Sequence, residues 1–415
     1  TGNNNTAVGY AALDANTTGH THTAVGSGAL GANTTGSHNT AVGYIALNAN
    51  TTTSNNTAVG YAALGANTGS NNTAVGGRSM SNTTTGSYNC AFGEQALEAH
   101  TTSNSNHAFG YIALHALTTG ANNCAFGYGS LYSYTGSDNC GFGNYTLHNA
   151  TTGNNNAAFG YKALLSVTTG GNNTALGAYA LYTNSTASQN TAVGYYCAYL
   201  NTTGTYNCAV GYYSLYANTT GNYNTSVGHM ALSGNTTATH NTALGYSALK
   251  VGTSAGGCVA IGANSLLDLT TGDYNTAVGS SAGANMTTAA YNTFMGEFAG
   301  YGNDSTAQTG SYNTFYGARS GQSITSGTSN VCIGWEAGKG IANGASNVCI
   351  GPEAGGTGVI AAGDNQLYIA RNNDGAGNAT VWIYGDNTGA CHQGDNTTSW
   401  STTSDRRLKK NITDS

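Results

Sequence analysis

Residues 5–21, Asn5-Thr6-Ala7-Val8-Gly9-Tyr10-Ala11-Ala12-Leu13-Asp14-Ala15-Asn16-Thr17-Thr18-Gly19-His20-Thr21, decide the fold, because nearly everything up to Gly355 is another copy of them. The glycine of the A-V-G core recurs as Gly9, Gly26, Gly43 and Gly60 and continues to Gly317, Gly334 and Gly351. The step is 17 residues, shortened to 16 where one Thr is lost (Gly60 to Gly76, Gly127 to Gly143) and stretched to 21 once, between Gly296 and Gly317. A short fixed period is the signature of a solenoid. Helical repeats run to about 33 residues or more, so seventeen suit one coil of an all-β parallel solenoid or β-roll. β-Branched and aromatic residues around Thr-Ala-Val-Gly-Tyr agree with a strand. Stacking at about 4.8 Å per coil predicts a rod on the order of 100 Å long.

With positions counted from the glycine, Asn stands four before it (Asn39, Asn56, Asn72), Ala two before, and a large apolar residue one before. Tyr often follows, then Ala and Leu three and four after, and Thr-Thr-Gly eight to ten after. The strand lacks the apolar/polar alternation of a half-exposed one, so both faces read as buried. The large residue, Val8, Phe92, Phe126 or Leu176, is expected to fill the coil's own core. The Ala/Gly face, Ala7 with Gly9, is expected to admit a second surface. Sister copies around a three-fold axis are the economical candidate, making a homotrimer the expected assembly; a lone triangular β-helix is the alternative. Asn-Thr-Thr-Gly reads as the turn, its Gly or Asn taking the φ > 0 position.

From Gly279 onward the Leu column becomes Gly (Gly283, Gly300, Gly321, Gly338, Gly355), a second repeat subtype expected to be thinner or differently curved. The chain therefore divides into a repeat shaft (1–355), a non-repeat β neck (356–403) and a short tail (404–415). In the neck, 365–370 and 380–385 read as two strands that cap the open edge of the last coil.

Composition narrows the function classes. Lys+Arg number 10 against 16 Asp+Glu in 415 residues, so no basic face exists to neutralise phosphates and nucleic acid is a poor partner. No apolar run approaches the roughly 18 residues of a membrane helix, and no membrane insertion is expected. Thr1 opens inside a repeat, which reads as a processing boundary. Of nine cysteines, Cys90, Cys124, Cys140 and Cys208 stand three before the glycine and Cys332 and Cys349 two before. They read as small hydrophobes in stacked columns, poorly posed for disulfides with their neighbours. None makes a zinc motif, and no cofactor is expected.

Tyrosines are the candidate ligand-binding residues. Tyr10, Tyr44, Tyr61, Tyr111, Tyr128, Tyr161 and Tyr212 form a column after the glycine and are expected as a buried ladder. Tyr132, Tyr134, Tyr182, Tyr206 and Tyr223 fall in turns, where an exposed ring offers a sugar both an apolar face and a hydroxyl. His20-Thr21-His22 could set imidazoles of three chains around a metal, but the pattern occurs once and reads as surface decoration. Acidic residues (Asp14, Glu94, Glu98, Asp138, Asp273) are sparse, which disfavours a glycan depolymerase built on paired carboxylates. The Thr column through Thr18, Thr35 and Thr52 raises an ice-binding alternative, against which Gly and Asn interrupt a flat array.

The tail carries Ser404-Asp405-Arg406-Arg407-Leu408-Lys409-Lys410-Asn411-Ile412. This stretch resembles the opening of the intramolecular chaperone domain at the C-terminus of endosialidase-type phage tailspikes and many tail fibres. The resemblance implies a trimerising chaperone released by cleavage between Ser404 and Asp405, with Ser404 as nucleophile and Lys409 as its base, a pairing that a desolvated lysine makes chemically reasonable. It covers about a dozen residues; the chaperone body is missing, so self-cleavage is not expected of these residues alone. The repeat is similar to the β-roll heads of trimeric autotransporter adhesins, whose coils are shorter. The two resemblances imply a homotrimeric fibre on a virion or at a cell surface that attaches to a host glycan or receptor, with a bacterial surface adhesin or extracellular filament as the alternative.

Overall fold

The computed structural model describes residues 2–302, 307–356, 363–371, 380–385 and 391–393. It is all-β, a parallel solenoid of about 17 residues per coil. The chain divides into two compact units, 1–230 and 231–415.

In the first unit each coil contributes one three-residue strand, from β1 (Thr6–Val8) to β14 (Thr225–Val227). Neighbouring strands are parallel and in register, Thr6 on Thr23, Ala7 on Ala24 and Val8 on Val25, so like residues lie above like in columns. The rest of the coil is turn, stitched to the next coil by backbone bonds such as Thr34 N–H to the Thr51 carbonyl (2.8 Å) and Leu30 N–H to that of Ala46 (3.0 Å).

The parity of the strand is the reverse of the expected one. Ala24, Ala41 and Ala58, two before the glycine, are fully buried together with the Ala and Leu three and four after it, such as Ala29 and Leu30. The large residue one before the glycine points outward, leaving Val8 58% and Leu176 48% exposed. The core is thin, so the inward strand position takes a small side chain; at Gly141 even a Cβ would come within 2.7 Å of the Ser130 and Thr146 hydroxyls. The Ala strip on which the expectation of sister chains rested is therefore interior to a single coil.

Positive φ also falls elsewhere than expected. It occurs five before the glycine (Thr21, His38), two after (Ile45, φ 50°) and at the buried Leu (Leu30, φ 51°; Leu47, φ 50°). A bulky residue in this region is strained, and burial plus the bond between coils hold it there. Gly36 of Thr-Thr-Gly is needed for close approach instead, since a Cβ would lie 2.2 Å from the Thr53 carbonyl oxygen. Gly43 of the A-V-G core combines both demands, with φ 139° and the Gly60 carbonyl oxygen 2.3 Å from a Cβ.

Two interior amide ladders run along the axis. From Asn39 onward each Asn four before the glycine is buried, and its side-chain oxygen accepts the backbone N–H of the residue at the same position one coil later, as Asn72 does from Asn89 (2.9 Å) and Asn89 from Asn106 (2.9 Å). Its amide nitrogen donates to the turn carbonyl of the following coil, Asn72 to Gly86 at 2.7 Å. A second ladder, seven after the glycine, links Asn16, Asn33 and Asn50 and again Asn184, Asn201 and Asn218. Between these runs the column changes to His100, Leu117, Tyr134 and Val167, all buried.

The second unit continues the pattern with β15 (Thr242–Leu244) to β21 (Val348–Ile350). In two coils of its second subtype, volume is exchanged across the core, whereas opposite Gly338 and Gly355 the inward strand residue is only Cys332 and Cys349. Where Leu gives way to Gly300 and Gly321, the inward strand residue grows from Ala to Phe294 and Phe315, both buried. A Cβ on Gly300 would meet the Phe294 ring at 2.7 Å, and one on Gly321 the Phe315 ring at 2.3 Å. β22 (Leu367–Arg371) adds one more parallel strand on β21, and β23 (Thr380–Gly385) and β24 (Cys391–Gln393) follow antiparallel. The two expected neck strands are present; β24 was not read from sequence.

Cys90, Cys124, Cys140 and Cys208 are free and half-buried on the outer strand face, while Cys332 and Cys349 are free and buried inside. No helix among the described residues is long and apolar enough to cross a membrane.

Candidate binding surface on the coil exterior

Because the glycine step turns the chain outward, the positions one, two and five after it form three parallel columns on the exterior. In the coils after Gly177, Gly194 and Gly211 these columns are filled by Tyr179 and Tyr182, then Tyr195, Tyr196 and Tyr199, then Tyr212, Tyr213 and Tyr216. Along the columns the rings stack, Tyr179 on Tyr196 (4.8 Å, 17°), Tyr182 on Tyr199 (4.9 Å, 10°) and Tyr199 on Tyr216 (5.5 Å, 5°). Across the columns they meet edge-on or tilted, Tyr195 on Tyr196 at 4.4 Å and 76°, Tyr196 on Tyr199 at 4.8 Å and 46°. Eight rings thus form one continuous grid, bordered by Lys162, whose ammonium lies 5.1 Å from the Tyr161 ring centre.

Stacking turns ring edges and hydroxyls toward solvent and covers the faces, while the edge-on contacts leave some faces open. Desolvation by the neighbouring rings, and then the proximity of other phenols, raises the pKa of Tyr195, Tyr199 and Tyr213 above the ordinary tyrosine value. Each phenol hydroxyl is a donor and an acceptor beside an apolar flank, which suits a polyhydroxylated ligand.

The expected site residues are divided by this geometry. Tyr182 belongs to the grid. Tyr132 lies upstream in the same column, stacked between His115 (5.2 Å) and His148 (5.0 Å). Tyr206 and Tyr223 are exposed and stacked on each other (4.9 Å, 6°) in a separate column five before the glycine. Tyr134 is not available to a ligand: it replaces Asn in the second ladder, is 0% exposed, and its hydroxyl donates to the Gly153 carbonyl. Burial pushes its pKa up to about 12. The column after the glycine, expected as a buried ladder, is exposed at Tyr10, Tyr44, Tyr61, Tyr111, Tyr128, Tyr161 and Tyr212.

In the second unit the column five before the glycine carries His240, Gly257, Tyr274, Tyr291 and Tyr312. Tyr274 stacks on Tyr291 (5.3 Å) and Tyr291 on Tyr312 (5.2 Å, 1°). Gly257 interrupts the ladder and opens a groove of about 480 Å³ lined by Thr237, Thr239, His240, Ser254, Asp273 and Tyr274. Asp273 accepts the Gly256 N–H at 2.8 Å, the bond that Ser or Asn makes at this position in other coils.

His20 and His22 do not converge. His20 is exposed, edge-on to His38 at 5.0 Å. His22 is interior, correcting its reading as surface decoration. Its Nδ1 accepts the Asn39 N–H (3.3 Å), so Nε2 carries the proton and donates to the Gly36 carbonyl (2.8 Å). Desolvation lowers its pKa. Among the described residues no cluster of three or more His, Cys, Asp or Glu side chains could hold a metal ion.

Glu98, Asp138, Asp273 and Glu336 serve as structural acceptors. Glu98, nearly buried, is paired with Arg78 and with His115 Nε2 (3.1 Å). Asp138 accepts from the Asn122 side chain (3.0 Å), and Glu336 binds Lys339 (2.9 Å) and Arg319 (3.3 Å). Ser404, Asp405 and Lys409 lie outside the described residues. In comparisons with known proteins, no family model and no curated protein matches this chain.

Proposed function

We propose that the chain is the shaft and neck of a homotrimeric viral tail fibre or adhesin, carried on a virion or at a cell surface, that attaches to host cell-surface glycans. The observation that carries this reading is the eight-tyrosine grid. A dense field of phenols with centres near 5 Å apart offers hydroxyls and apolar edges over three coils, carried on regular coils rather than on long loops. Its near absence of charge suits neutral sugars. The carboxylates tied into structural bonds support a passive role, and chemistry is confined to self-cleavage between Ser404 and Asp405 when a full C-terminal chaperone follows.

The test is glycan-array binding by the full chain against Tyr196→Ala/Tyr199→Ala, which removes the two central rings. Both rings are half-buried against other tyrosines on the coil exterior and take no part in the interior core, so the circular dichroism spectrum should be unchanged while glycan binding falls at least tenfold. Equal binding by the double variant overturns the assignment of this surface.

A further inference from the structure

The outward turn of the strand creates a surface that the tyrosine grid does not use. In the first unit the position one before the glycine is apolar in every coil, with Phe92, Phe109, Phe126, Phe142 and Phe159 at the centre and Val or Leu on either side. The five rings stack in one line, with centres 5.1, 4.3, 4.7 and 5.2 Å apart and planes within 9°. Phe92, Phe126 and Phe159 remain more than a third exposed. The other outward strand position holds Thr, Cys or Ala, with His107 the sole titratable side chain apart from thiols.

A strand of three residues is about 10 Å wide and each coil rises about 4.8 Å, so fourteen coils present roughly 670 Å² of flat strip. The unbroken apolar column makes up about half of it, which matches the largest apolar patches of a few hundred Å² that monomeric proteins expose, and such patches are often functional. Two such strips together would bury about 1,300 Å², within the roughly 1,200–2,000 Å² of specific interfaces.

We propose that this strip packs against the same strip of further copies of this chain, with the solenoid axes parallel and equal rungs at equal height. The proposal rests on the reading of the chain as a multi-chain fibre and supplies the face that reading lacks. Periodicity selects the occupant. A partner must repeat with the same rise to fit every rung, and a second copy does so by construction of the fold. Self-pairing sets the Thr, Cys and apolar side chains of one copy against the same residues of the next, as in an isologous interface, with His107 the one titratable pair apart from thiols. The phenylalanines, at the middle of the strip, take the central position where binding energy concentrates.

The native thiols give a direct readout. Cys90, Cys124, Cys140 and Cys208 lie on this face, so in parallel copies each faces its own counterpart. In the full chain carrying Cys391→Ser, a short bismaleimide should join two chains through equal-numbered cysteines, identified by mass spectrometry. Light scattering should give two or three chains per particle, falling to one in Phe109→Glu/Phe126→Glu with an unchanged β spectrum. A single-chain mass for the unsubstituted protein, or an assembly that neither crosslinks through these cysteines nor responds to the double substitution, overturns the proposal. Crosslinking of the unsubstituted face reads the interface even if the double variant does not fold. Glycan binding measured on the same samples separates the two claims: a protein that binds glycans as a single chain refutes this interface and leaves the tyrosine surface standing.

Discussion

Replacing Asn106 with Ala cuts the interior amide ladder at one rung, and the cost can be worked from its bonds. Asn106 Oδ1 accepts the Asn123 backbone N–H (3.0 Å) and Asn123 Nδ2 (3.2 Å), while its own Nδ2 donates to the Gly120 carbonyl (3.0 Å). Alanine leaves the buried Asn123 N–H and the Gly120 carbonyl without these partners. At about 1–3 kcal/mol for each buried group left unsatisfied, two such groups cost about 4 kcal/mol. Thr119→Ala, on the exposed turn of the same coil, should stay within about 0.5 kcal/mol. In a solenoid each coil touches its neighbours only, so the defect acts at one junction rather than being shared along the unit. Urea unfolding followed by circular dichroism gives the free-energy difference, and hydrogen exchange locates it. The Asn123 amide should lose about three decades of protection, since about 1.4 kcal/mol corresponds to tenfold. A cost under about 1 kcal/mol, matching the Thr119 control, would refute the view that the amide ladder holds the coils together.

His100 occupies the second ladder, with Nδ1 3.1 Å from the Thr83 hydroxyl and Nε2 2.9 Å from that of Ser103. Burial lowers its pKa to about 4. The unfolded chain, with an ordinary value near 6.5, binds its proton first as pH falls. The neutral histidine therefore contributes its full stability above about pH 6.5 and loses it on acidification to about pH 4, a difference of about 3 kcal/mol. His100→Asn restores the usual ladder residue, and its urea midpoint should fall less between pH 7 and pH 4; equal pH dependence in the two proteins would contradict the assignment. The glycines separate into two kinds. Gly110→Ala, at φ 138° with the Gly127 carbonyl oxygen 2.5 Å from the new Cβ, should cost about 3 kcal/mol or more. Gly77→Ala, whose Cβ would meet only the Glu94 side chain at 3.8 Å, should stabilise by about 0.5 kcal/mol through the unfolded chain. Thermal unfolding of the pair checks both, and a cost of similar size at the two positions would refute the distinction.

The period, the strand at Thr-Ala-Val and the neck strands were legible because each leaves a local mark in the sequence. What faces inward was not. A three-residue strand offers no alternation to read, and bulk at Phe92 or Val8 suggested a core. The better signal is tolerance. The Ala column accepts an aromatic residue only where its Leu neighbour becomes Gly, as at Phe294 with Gly300, and otherwise goes no larger than Ser226 or Cys332, which marks it as volume-limited. The next column passes from Val to Phe to Leu with no change elsewhere, which marks it as facing open space. The same misreading hid the grid: Tyr212 was assigned to the interior, while Tyr182, read as an exposed turn residue, lies half-buried among the outer columns. Tyr134 shows the opposite failure, a turn tyrosine recruited inward because its position is the second ladder's. Positive φ at Leu30 and Leu47 carries no sequence mark, since burial and bonding between coils impose it on residues that would avoid it.

The amide ladder has a consequence for how such a chain can change over generations. Apart from the coils of His22 and Cys258, which lack the Asn, each coil finishes the bonds of the one before it and offers the same unfinished set to the one after. Duplicating or deleting a whole coil of the same subtype thus leaves no mismatched junction, and length becomes a freely adjustable ruler. Only at the seam where Leu–Ala coils meet Gly–Phe coils would such an edit have to respect the pairing of large and small side chains.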